Sequence, residues 1–182
     1  LKKDESYYWN SDGGITLSGG EALLQKDFAK ELFKAARAKG WHTALETEGY
    51  VSEDTLREVI PYVDLVLLDI KANDPLIHRK YTGVDNSLIK KNAKLIQEIS
   101  ETIIRVPVIP GVDEFRDIVS FVKTLPNIKE LHILPYHNYG ENKYYLLGRE
   151  YELSELNKNS EEHIEKLKRI VEDNDLYCHI GG

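Results

Sequence analysis

Asp69 and Lys71 stand at the end of an apolar run, Asp64-Leu65-Val66-Leu67-Leu68-Asp69-Ile70-Lys71. In an extended strand, residues two apart share a face. The two opposite charges can therefore pair with each other or hold one charged ligand between them. Ser18-Gly19-Gly20-Glu21 follows a second apolar stretch, Ile15-Thr16-Leu17. Paired glycines let a backbone approach a ligand closely and offer free N–H and C=O groups, although an isolated Gly-Gly is more often an ordinary turn. Glu46-Thr47-Glu48-Gly49, Ile109-Pro110-Gly111 and Leu134-Pro135-Tyr136-His137 each close a further apolar stretch. A lone loop histidine is usually unremarkable unless it faces a site. Each motif alone has a bland reading, and together they describe one face lined with ligand-binding groups.

The elements that must position these groups alternate. Strands are expected at Ile15–Leu17, Trp41–Leu45, Val63–Ile70, Thr102–Ile109, Leu131–Leu134 and Leu176–Ile180. The apolar strand at 63–70 is expected to be covered on both faces. Helical spacing appears over residues 27–39 (Phe28, Leu32, Phe33, Ala36), with Gly40 as the stop, and over 87–99 (Leu88, Leu95, Ile96, Ile99). Ser52 caps a helix that Pro61 ends, Asp113 caps one carrying Ile118, Val119 and Val122, and Ser160 caps the last. Residues 136–159 read as a long polar and aromatic loop, and long loops are often functional. Alternating strands and helices imply a parallel α/β sheet or barrel. In a parallel barrel the site lies at the C-terminal strand ends, where every motif above is found.

Composition narrows the class. The 182 residues are 41% hydrophobic and 30% charged, which suits one globular domain over residues 1–182. The net charge of −7 argues against nucleic acid or anionic lipid as partner. No apolar run approaches the ~18 residues of a membrane span. Cys178 is the sole cysteine. It cannot form an internal disulfide, and nothing points to secretion, so a cytoplasmic origin is expected.

The ordered set of motifs resembles the glycyl-radical-enzyme activating enzymes of the radical S-adenosylmethionine (SAM) superfamily, the pyruvate formate-lyase activating type. The resemblance is carried by Gly13-Gly14-Ile15-Thr16-Leu17-Ser18-Gly19-Gly20-Glu21-Ala22, His42 to Tyr50, the Asp-x-Lys strand, and His78 with Tyr81-Thr82-Gly83. It continues through Arg105 to Gly111, then Leu134 to His137 with Gly140, Lys143, Tyr144 and Gly148. It implies a partial parallel barrel, missing its first strand and cluster loop.

It further implies that Gly19, Gly20 and Glu21 contact the methionine moiety of SAM. Asp69, Ile70 and Lys71 would contact the amino-acid and ribose portions, and His137 the adenosine side, with Arg105 a second-tier contact to SAM or peptide. Glu46, Thr47, Asp69 and the backbone of Leu67 would lie where some relatives hold a monovalent cation. Glu48 departs from the pattern, since relatives carry a small or amide residue there.

The family reaction is reductive cleavage of SAM by a 4Fe–4S cluster. The product radical removes a hydrogen from a glycine of a partner glycyl radical enzyme, with flavodoxin or ferredoxin as reductant. The family's Cys-x3-Cys-x2-Cys motif does not occur in the sequence. The chain is thus expected to be a piece of a longer enzyme, inactive alone and with no catalytic residue of its own. Lys3-Asp4 with Tyr7 and Tyr8 resembles the lead-in of members carrying a ferredoxin-like insert. Two other readings remain open: a barrel enzyme using Lys71 as a Schiff-base lysine beside Asp69, and a non-catalytic module that binds SAM or a peptide.

Overall fold

The computed structural model describes residues 5–11, 13–112, 114–137, 146, 148 and 159–181. Six strands form one sheet: β1 (Gly14–Leu17), β2 (His42–Thr47), β3 (Leu65–Asp69), β4 (Glu101–Val108), β5 (Glu130–Pro135) and β6 (Tyr177–Ile180). All neighbours pair in parallel and the spatial order follows the chain, β1 to β6. A doubly wound sheet reverses its order partway. This one does not, and its β1 and β6 edges do not meet, so it is an open, partial barrel. The expected Asp113 cap lies outside the described residues, as do Lys3, Asp4, Gly140, Lys143 and Tyr144.

The helices are α1 (Glu5–Ser11), α2 (Lys26–Arg37), α3 (Glu53–Val59), α4 (Pro75–Thr82), α5 (Ser87–Ile99), α6 (Phe115–Val122) and α7 (Glu161–Glu172). Ser52 caps α3 by accepting from the Thr55 N–H, and Ser160 caps α7 by accepting from His163. Pro61 lies within a 3-10 turn, Ile60–Tyr62, that follows α3. Alternate strand residues face the helices and are sealed from solvent: Leu45, Val66, Leu68, Ile104, Leu131 and Ile133 are each 0% exposed. Burying a side chain of this size contributes roughly 1.5–3 kcal/mol.

Three sequence expectations are corrected. Phe28 is 60% exposed, because the buried stripe of α2 is Ala29, Phe33 and Ala36. In α5 the buried face runs through Ile89, Asn92, Ala93, Ile96 and Gln97, one step round from Leu88 and Leu95, which are half-buried. The strand at 63–70 is also less enclosed than its apolar run implies. Val66 and Leu68 are buried, whereas Leu65, Leu67 and Asp69 line the inner face and are half-covered by the described residues. Among the described residues no helix is long and apolar enough to cross a membrane.

Candidate functional site at the C-terminal rim

The inner face of the sheet carries a row of charge. Asp69 of β3 and Arg105 of β4 are register partners, and the Arg105 Nε donates to Asp69 at 2.8 Å. The same guanidinium reaches Glu46 of β2 at 3.0 Å, and Glu46 accepts from the Ser18 hydroxyl just past β1. Ser18, Glu46, Arg105 and Asp69 therefore tie four adjacent strands together at their upper ends. The positive charge between Glu46 and Asp69, where the resemblance places a monovalent cation, is the Arg105 guanidinium. Among the described residues no three His, Cys, Asp or Glu gather as metal ligands.

Asp69 and Lys71 do not pair with each other. Lys71 lies beyond the strand end and pairs with Glu48. Burial pushes the Asp69 carboxyl above its ordinary range, against the pull of Arg105 and Lys71. At Glu46 burial acts the same way, but hydrogen bonds from Ser18 and Arg105 outweigh it and hold the carboxyl low.

Gly19 and Gly20 are exposed, and Gly19 has φ +125°, a conformation that side chains resist. A Cβ built at either glycine meets no atom within 4 Å. The space beside this turn is open, so packing does not require glycine at position 20.

Glu21 has a structural duty as well. It caps the 3-10 turn Ala22–Gln25 by accepting from the Leu23 N–H at 3.1 Å, and it accepts from the Thr47 hydroxyl at 2.8 Å and the Glu48 N–H at 3.1 Å. Thr47 is 4% exposed, and its hydroxyl also accepts from Gly49 N–H. Leu67 is the register partner of Glu46. Ile70 does not join the rim: it is 2% exposed, and its N–H donates to the Arg105 carbonyl. His137 stands two residues past β5, at the same edge of the sheet.

Several residues that hold the rim escaped sequence reasoning. Asn92, 1% exposed on α5, donates to the carbonyls of Gly49 and Val51, both at 2.7 Å, and so fixes the loop that carries Glu48. Glu114, 8% exposed, accepts from the N–H groups of Asn73 and Asp74. Asn86 donates to the carbonyls of Ala72 and Asn73. The available signal was a polar residue on the apolar stripe of an amphipathic helix, as at Asn92 between Ile89 and Ile96. His78, Thr82 and Gly83, which helped carry the resemblance, form a helix stop. His78 Nδ1 and the Thr82 hydroxyl both meet the Val84 carbonyl, and Gly83 adopts the left-handed C-cap.

Glu21, Glu46, Glu48 and Asp69 outweigh Lys71 and Arg105, so the rim has an excess of negative charge. It suits a ligand that is cationic overall yet carries a carboxylate. SAM is such a ligand, with its sulfonium, ammonium and carboxylate groups, and the donor set fits it. A 4Fe–4S cluster does not fit these residues. Cys178 is buried on β6, and burial pushes its thiol up to about 11, away from the thiolate a cluster needs.

Comparison with known proteins gives the family and the fold. The family pattern of the radical SAM superfamily matches residues 5–125. The chain is 40% identical to the trans-4-hydroxy-L-proline dehydratase activating enzyme of Clostridioides difficile, over 100% of this chain and 63% of that protein. It is also 40% identical to the (2S)-3-sulfopropanediol dehydratase activating enzyme of Klebsiella oxytoca, over 100% of this chain and 60% of that protein. The chain thus spans about three-fifths of the length of these relatives. A domain of the pyruvate-formate lyase-activating enzyme from Bacteroides vulgatus superposes with a TM-score of 0.77 at 29% identity, covering 93% of this chain and 99% of that one. Streptococcus suis SuiB bound to S-adenosylmethionine shares the fold, with a TM-score of 0.70 at 16% identity over 92% of this chain and 39% of that one.

Proposed function

The chain belongs to the radical SAM superfamily, and we propose that it forms the SAM-holding rim of an enzyme that activates a glycyl radical enzyme. The observation that carries this reading is the acid-rich rim beside an open glycine turn. The activating-enzyme relatives, matched along the whole of this chain, support the choice of partner. Bound SAM, on one-electron reduction that releases methionine, would supply the carbon radical that takes a hydrogen atom from a glycine of the partner enzyme.

The chain's own contribution is binding and orientation. Backbone groups of Gly19 and Gly20 meet the amino-acid end of the ligand. Asp69, held by Arg105, presents a fixed carboxylate to its positive charge. Lys71 releases Glu48 to meet its carboxylate, and His137 borders the adenosine side. Preorganised charges of this kind lose little on binding, because their partners already hold them in place. Flavodoxin or ferredoxin is the proposed reductant, and the cytoplasm the proposed compartment. Lys71 already sits in an ion pair with Glu48, which favours a charge-pairing role over the Schiff-base reading.

Isothermal titration of SAM against the chain and its Asp69→Asn variant tests the reading. A charged hydrogen bond is worth ~1.5–3 kcal/mol, so the variant is expected to bind SAM about tenfold more weakly or worse. Equal affinity removes Asp69 from the site and with it the rim's central contact.

A further inference from the structure

Behind the Glu48–Lys71 pair lies a pocket of about 280 Å³, bounded by the ends of β3 and β4 and by α4 and α6. Its walls are largely apolar, with Val106, Val108, Phe115 and Ile118 among them. Two of its polar groups are already engaged: His78 Nδ1 meets the Val84 carbonyl, and Glu114 holds the start of α4. The Thr82 hydroxyl is also engaged, by the Val84 carbonyl, so charged recognition falls, with the Tyr81 phenol alongside, to Glu48 and Lys71 at the edge. Their side chains are 45% and 30% exposed. A pair this exposed contributes little, so it can exchange partners at low cost.

We propose that this pocket binds a free α-amino acid with an apolar side chain. The ligand carboxylate takes Lys71, its ammonium takes Glu48, and its side chain enters the apolar interior. The two charges of the pair match the two charges of a zwitterion, each swapping one partner for another. The volume falls just below the ~300–1,000 Å³ of sites for drug-sized ligands, which suits one amino acid. The inference rests on the pocket and not on the glycine turn, but it shares Lys71 and Glu48 with the SAM reading. Because Lys71 serves one carboxylate at a time, a bound amino acid would compete with any other ligand that uses it.

Amide NMR of the chain titrated with L-methionine and L-leucine tests this. The expected result is saturable shifts at Lys71, Ala72, Val108 and Phe115. N-acetyl-L-methionine, which lacks the ammonium, should bind about tenfold more weakly, as should L-methionine to Glu48→Gln. Val112→Phe, which fills the pocket from its wall, should abolish the shifts while keeping a native spectrum. If that variant unfolds, the Glu48→Gln titration decides. Absent shifts at these residues, equal binding of the acetylated probe, unchanged binding in Glu48→Gln, or shifts confined to Gly19 and Gly20 would each overturn the proposal.

Discussion

The turn after β1 and the loop after β3 carry neighbouring parts of one rim, yet they are built in opposite ways. The loop after β3 is fastened by side chains: buried Asn86 and Glu114 and half-buried Lys90 all bond to the backbone of residues 72–74. The tip of the β1 turn has no such fastening. Its glycines are exposed, and an added Cβ at either would touch nothing. Polar groups buried against backbone are costly to remove because their partners are left unpaired. A turn facing open space has no internal contact to lose. The fastened loop is thus explained by the fold, whereas the open glycine turn asks for a ligand.

Variants can break or sharpen this contrast. The largest effect is expected where a buried clamp is removed. Asn92→Ala strands two buried carbonyls, at Gly49 and Val51, and should cost about 2–4 kcal/mol. Thermal unfolding should register this as a fall of roughly 4–16 °C. A change near zero would show that the clamp contributes nothing.

Next comes Glu114→Gln, which keeps the size but removes the charge that two N–H groups donate to. It is expected to destabilise by about 1–2 kcal/mol, measured by urea unfolding. On the open side the pattern should reverse. Gly20→Ala is expected to keep the melting temperature while weakening SAM binding by about tenfold, because the added methyl stands where the ligand approaches the backbone. A large stability loss with normal binding would make this turn structural.

The smallest expected effect is at Cys178. With its thiol pushed up to about 11, the thiolate is scarce at neutral pH. Labelling by a disulfide reagent should be slow there and should accelerate as pH climbs toward 11. Fast labelling at pH 7 would contradict the buried placement.

The strands were legible because β-type apolar runs ended in glycine, proline or charge at the same point in each repeat. Ser52 and Ser160 were legible as caps because the capping hydroxyl acts within three residues. The wrong stripe in α2 arose because Phe28 is apolar yet faces solvent, and periodicity alone does not separate it from Phe33. The pairing of charges was not legible either. Asp69 and Lys71 are close in sequence, but Asp69 meets Arg105, 36 residues away, and Lys71 meets Glu48, 23 residues away. Strand register decides such pairs, and register is set by the whole sheet. Asn92 and Glu114 were missed for the same reason, since their partners lie 40 or more residues distant.

A crystal structure of the chain with SAM tests the central claim most directly. The account predicts the amino-acid end of SAM against the backbone of Gly19 and Gly20, with Asp69 and Lys71 in contact and Glu48 released from Lys71. SAM bound elsewhere, with the glycine turn still bare and the Glu48–Lys71 pair intact, would contradict it.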